Sequence, residues 1–135
     1  MLISKGLQTA INDQIGREFG AAMQYVNIAS YFTAGNMLMF GKLFFKQADE
    51  EIGHGMKFVR YVLDAGGRIG VPAIPVARAD FKSPEDAVAA ALKWEEGEQQ
   101  YRLAVIKNSL GIEVIGENSD VMVQIAQALL DQLNP

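Results

Sequence analysis

Cysteine is absent from the 135 residues, and histidine and tryptophan occur once each. Without thiols the chain can form no disulfide framework, zinc ribbon or cysteine-ligated iron-sulfur cluster, which leaves oxygen and imidazole groups as the plausible metal ligands. That donor set suits iron, manganese or zinc. Basic residues are in the minority, 12 Lys and Arg against 16 Asp and Glu, for a formal net charge of −4. A protein that grips a phosphate backbone shows a clustered basic surface, and none is visible here, so nucleic acid is not an expected partner. An acidic surface favours cations instead. No stretch approaches the roughly eighteen unbroken apolar residues of a membrane span, and Met1-Leu2-Ile3-Ser4-Lys5-Gly6 is not followed by the pattern of a secretory signal. The sequence therefore predicts a cytoplasmic protein with no membrane partner.

Half of the residues are hydrophobic, enough for a sizeable core in one domain spanning 1–135. Strand-like alternation is missing, and breaker residues divide the chain into four helical segments, at about 5–34, 36–65, 84–116 and 119–134. Four such segments imply an all-α four-helix bundle. The Thr33-Ala34-Gly35-Asn36 turn is short, which suits antiparallel neighbours. Between the second and third segments lie Gly66, Gly67, Gly70, Pro72 and Pro75, a run too long and too rich in breakers for a tight turn. It can carry the chain along the length of the bundle. Ser83-Pro84-Glu85-Asp86 then reads as a helix start, with Ser as N-cap, Pro at the first position and acids facing the positive end of the helix dipole.

Stepping alternately by four and three along the first segment from Ile11 gives Ile11, Ile15, Glu18, Ala22, Tyr25, Ala29 and Phe32. Glu18 interrupts a core-facing row. The same walk on the second segment gives Phe40, Phe44, Gln47, Glu51, His54, Phe58, Tyr61 and Ala65, which turns Glu51 and His54 inward among aromatics. A Glu-x-x-His spacing alone is common on solvated helix faces. Here the row is apolar, and a buried carboxylate costs several kcal/mol unless it is paired or binds a metal. Two helices that each turn a carboxylate inward need a common cation. On the third segment Glu95 shares a row with Val88, Leu92, Ile106 and Leu110, close to Glu96 and Glu98, and supplies a third inward acid. Asp49 and Glu50 are rotated off the row and belong to solvent or to an intersubunit contact. Trp94 and the phenylalanines read as packing, the six methionines as gap fillers, and Tyr25 as either core filler or a partner of the site.

The run Arg17-Glu18-Phe19-Gly20-Ala21-Ala22-Met23-Gln24-Tyr25, then Glu50-Glu51-Ile52-Gly53-His54, the crossover from Gly66-Gly67 to Phe81-Lys82-Ser83-Pro84, and Ala91-Leu92-Lys93-Trp94-Glu95 resemble the successive landmarks of a bacterial non-haem ferritin. The agreement in order and spacing covers roughly residues 5 to 120. The resemblance implies a ferritin-like bundle with its long crossover between helices 2 and 3. It also implies a di-iron centre in which Glu51 bridges, Glu18 and His54 hold one iron, and Glu95, helped by Glu98, holds the other, with Tyr25 hydrogen-bonding behind the ligands. In the related bacterioferritins a Met directly after the bridging Glu ligates haem. Here that position is Ile52, so no haem is expected.

The implied chemistry is ferroxidase activity, the oxidation of Fe(II) to Fe(III) by O2 or H2O2, followed by storage of ferric mineral in a homo-oligomeric, ferritin-type cage of twenty-four subunits. The last segment departs from the family by being short, about half the length of the first. Repeating the Glu18-to-Glu51 interval from Glu95 lands on Ala128, which cannot bind metal, with Gln127, Asp131 and Gln132 nearby. The second iron site is thus expected to be short of ligands. An alternative from another class is a ferritin-like metal-binding or structural protein with an incomplete site and a different assembly. A di-iron enzyme acting on peroxide or an organic substrate ranks last, because such proteins carry a second Glu-x-x-His and this chain has a single His.

Overall fold

The computed structural model describes residues 3–94. Helix α1 spans Lys5–Ala34 and helix α2 spans Leu38–Asp64. A crossover follows, and helix α3 begins at residue 84 and continues to 94. At about 1.5 Å per residue, α1 and α2 are each roughly 40–45 Å long.

Local chemistry fixes the start of α1 and of α3 and the ends of α1 and α2. Ser4 caps α1 by accepting from the Leu7 amide at 3.1 Å. At the other end Met37 N–H donates to the Phe32 carbonyl at 2.8 Å and Asn36 N–H to Thr33 at 3.1 Å, the paired bonds of a Schellman cap. That cap needs one left-handed residue, and Asn36 supplies it at φ 61°. Helix α2 therefore starts at Leu38 and not at the expected Asn36. The end of α2 repeats the device: Gly66 takes φ 77°, and Gly67 N–H donates to Val62 at 2.8 Å. Ser83 caps α3 as expected, its hydroxyl accepting from Asp86 N–H at 3.1 Å. Asp86 in turn accepts from the Lys82 amide and from the Arg78 guanidinium, which together hold its carboxyl below the usual range.

The two long helices run antiparallel. Gly41 lies against Thr33, Gly55 against Phe19, and Gly67 against Gln8, so one helix is read forwards as the other is read backwards. Their interface falls into two apolar clusters. Near the α1–α2 turn, Ala21, Tyr25, Ile28, Ala29 and Phe32 pack with Phe44, Ala48 and the first turns of α3. At the far end, Ile3, Ile11 and Ile15 pack with Phe58, Val62 and Ala65. Each Ile or Phe fully removed from water contributes about 1.5–3 kcal/mol. Every residue of the α1 row read from the sequence is buried. On α2 the row slips at its end: Tyr61 is 45% exposed and Val62 fully buried. The cause is the helix itself, which turns every 3.6 residues and drifts by about 20° per heptad from a strict 3.5 repeat.

The crossover lies along α1, held by side-chain amides. Gln8 accepts from Arg68 N–H, and Asn12 bonds both the Arg68 carbonyl and the Gly70 amide. Further on, Gln24 makes a two-way pair with the Arg78 backbone, and Asn27 donates to the same carbonyl. An irregular segment has no ladder of its own, and these amides satisfy the backbone groups of Arg68, Gly70 and Arg78. Pro72 sits so close to α1 that a Cβ on Gly16 would lie 2.7 Å from its ring.

Candidate metal centre

Between the two apolar clusters lies a polar layer. Glu18 enters it from α1, while Glu51 and His54 enter it from α2 one turn apart. The carboxylates are fully removed from water, at 0% and 2% exposure, whereas the His54 side chain keeps 23%. Nδ1 of His54 lies 3.7 Å from Oε2 of Glu18 and 3.7 Å from Oε1 of Glu51. One ligand atom from each of the three residues falls within 4.8 Å of the others. Among the described residues this is the one such convergence of three His, Asp or Glu side chains.

Two buried carboxylates demand a compensating charge. The Glu18 carboxylate first, and then that of Glu51, favour the imidazolium of His54, and they outweigh burial, so its pKa rises from 6.5 to about 9. At neutral pH the imidazolium is therefore the favoured form of His54 in the metal-free layer. Donor atoms around an ion at about 2.1 Å are separated by roughly 3.0–3.4 Å, so a small inward movement of side chains that are already aligned would close the shell. Two oxygens and a nitrogen fit Fe(II), Mn(II) or Zn(II).

Of the residues singled out from the sequence, Glu18, Glu51 and His54 are thus brought together. Tyr25 is buried two turns further along α1, its ring stacked on Phe44 at 6.0 Å within the apolar cluster. Asp49 is exposed and Glu50 half-buried, off the row as expected. Glu95 and Glu98 lie outside the described residues, as do the last segment and Gln127, Asp131 and Gln132. One buried polar residue of the layer escaped the row read from the sequence: Gln14, whose Nε2 donates to Oε1 of Glu18 at 3.0 Å. Its position four residues before Glu18, on the same helix face, was the available signal.

The family model of the ferritin-like domain matches residues 8–107. Similar curated proteins include the ferritin BfrB of Mycobacterium tuberculosis, 37% identical over 109 residues, covering 79% of this chain and 60% of that one. The ferritin BfrB of Mycolicibacterium smegmatis is 39% identical over 103 residues, covering 75% and 57%. A bacterial non-heme ferritin of Staphylococcus aureus is 33% identical over 95 residues, covering 70% and 57%. The chain thus spans well under two thirds of the length of these relatives. Among solved structures, an Archaeoglobus fulgidus ferritin engineered to a closed form superposes with a TM-score of 0.76, covering 96% of this chain and 76% of that one. Its 24% identity speaks for the fold alone, a helical bundle of the ferritin type. The extent of the family match, with the relatives' identity over most of this chain, establishes that the chain belongs to the ferritin family.

Proposed function

We propose that this chain is an iron-storage protein with ferroxidase activity, acting in the cytoplasm as a subunit of a homo-oligomeric cage. The observation that carries the reading is the convergence of Glu18, Glu51 and His54 in a buried layer of a ferritin-family bundle. Fe(II) is the substrate. Glu18 and His54 hold one ion, Glu51 bridges to a second, and Glu95, helped by Glu98, completes the second position. Each Fe(II) gives up one electron, and two of them with two protons reduce O2 to H2O2 or H2O2 to two waters. The chain's own contribution is to bring two metal ions together, to shield them with apolar clusters on both sides, and to leave positions open to the oxidant. Tyr25 hydrogen-bonds behind the ligands.

Aerobic Fe(II) titration, with bound iron, oxidation rate and native mass measured on the same sample, tests the proposal. Rapid oxidation of about two Fe(II) per chain in a large cage supports it. A second reading, a ferritin-like binding module for one metal, is favoured by the three residues gathered at the site, which suffice for a single ion. One slowly exchanging metal per chain in a small assembly would establish that reading and exclude storage.

A further inference from the structure

We propose that Gln14 is the positioning residue that makes Glu18 a one-oxygen ligand, an assignment that rests on the metal-binding reading of the site. The Glu18 carboxylate has its two oxygens committed in different directions. Oε1 accepts from Gln14 Nε2 at 3.0 Å, and Oε2 is the oxygen 3.7 Å from His54 Nδ1. A carboxylate can only accept, so the amide end of Gln14 that faces it is the NH2 group. Gln14 is fully buried, one turn after Ile11's row begins and beside Ile15, both of which are fully buried as well. Water cannot replace this donor, and the bond has a fixed direction along the helix.

Charge explains why an amide suits the position. A Lys or Arg at residue 14 would pair with Glu18 and cancel part of the field that attracts a divalent ion, whereas an amide orients the carboxylate and leaves its charge in place. Engaging Oε1 also disfavours chelation through both oxygens, since a metal would have to compete with Gln14 for that oxygen. The ion keeps a coordination position that a chelating carboxylate would fill. In this way Gln14 sets coordination number without touching the metal.

Co(II) binding to the full chain, followed by its visible absorption under metal-limiting conditions, tests the assignment with a readout independent of iron oxidation. Gln14→Met keeps length and removes the donor. It is expected to weaken Co(II) binding by about 10–100-fold and to lower the intensity of the Co(II) bands, because Glu18 is freed to chelate and the coordination number rises. Gln24→Met is the comparison: Gln24 is a buried glutamine of the same helix that holds the Arg78 backbone, and its loss should lower the unfolding midpoint while leaving Co(II) affinity and spectrum unchanged. Should Met at 14 prevent folding, Gln14→Asn keeps the amide but shortens its reach, with the same expected loss. Wild-type affinity and spectrum in a folded Gln14 variant would overturn the positioning role alone. Failure of the wild-type chain to bind Co(II) would overturn the metal-site reading, and this role with it.

Discussion

Loading the site with a divalent ion at pH 7 is expected to expel a proton from His54. In the metal-free protein the imidazole is held protonated by Glu18 and Glu51, with a pKa raised to about 9, yet a metal binds only its neutral form. The observed association constant is then the intrinsic constant multiplied by the neutral fraction. At pH 7 that fraction is about 1%, a penalty of roughly a hundredfold. Affinity should therefore climb about tenfold per pH unit from 6.5 to 8.5 and level off above 9. An imidazole left at its ordinary value near 6.5 would already be about three-quarters neutral at pH 7, and affinity would rise by less than twofold above that. The two cases are easily separated. Zn(II) titration calorimetry in buffers of different ionisation enthalpy measures both quantities, with close to one proton released per first ion expected at pH 7. A flat affinity between pH 7 and 8.5 with no proton release would refute the reasoning.

Three further outcomes follow. In the metal-free protein the raised pKa of His54 adds stability that is fully present below pH 6.5 and is lost as pH rises through about 9; with the side chain 23% exposed, screening limits it to about 1–2 kcal/mol, measurable by urea unfolding in chelator at pH 6 and pH 9.5. Glu51→Ala removes the ligand proposed to bridge and should abolish Fe(II) oxidation, followed at the ferric absorption band; unchanged kinetics would remove Glu51 from the mechanism. Gly16→Ala forces a Cβ to 2.7 Å from Pro72 and should cost about 1–3 kcal/mol, whereas Gly6→Ala meets nothing within 4 Å and should stabilise by up to about 1 kcal/mol, both read from thermal or denaturant unfolding.

The helices were legible because their signals are local. Apolar spacing marks the α1 row from Ile11 to Phe32, and Ser83-Pro84 followed by Asp86 announces the start of α3. Inward acids could be found on the same spacing, since a Glu on a row of buried residues stands out whatever it later contacts. Less legible were features that depend on a fraction of a turn or on a partner distant in sequence. Asn36, not Gly35, takes the left-handed position, and Val62 replaces Tyr61 in the core. Gln8, Asn12, Gln24 and Asn27 resemble ordinary surface amides until the crossover is laid beside them.

The sequence by itself determined that the chain is helical, that it turns after α1 and crosses after α2, and that Glu18, Glu51 and His54 face inward, because periodicity and caps act over a few residues. Only the tertiary structure decided that these three meet in one layer, where the two carboxylates favour the imidazolium of His54. The physical reason is register. A helix fixes which face a side chain occupies, but the height at which two antiparallel helices bring their side chains together is set by packing at every level of the interface, from Gly41 against Thr33 to Gly67 against Gln8.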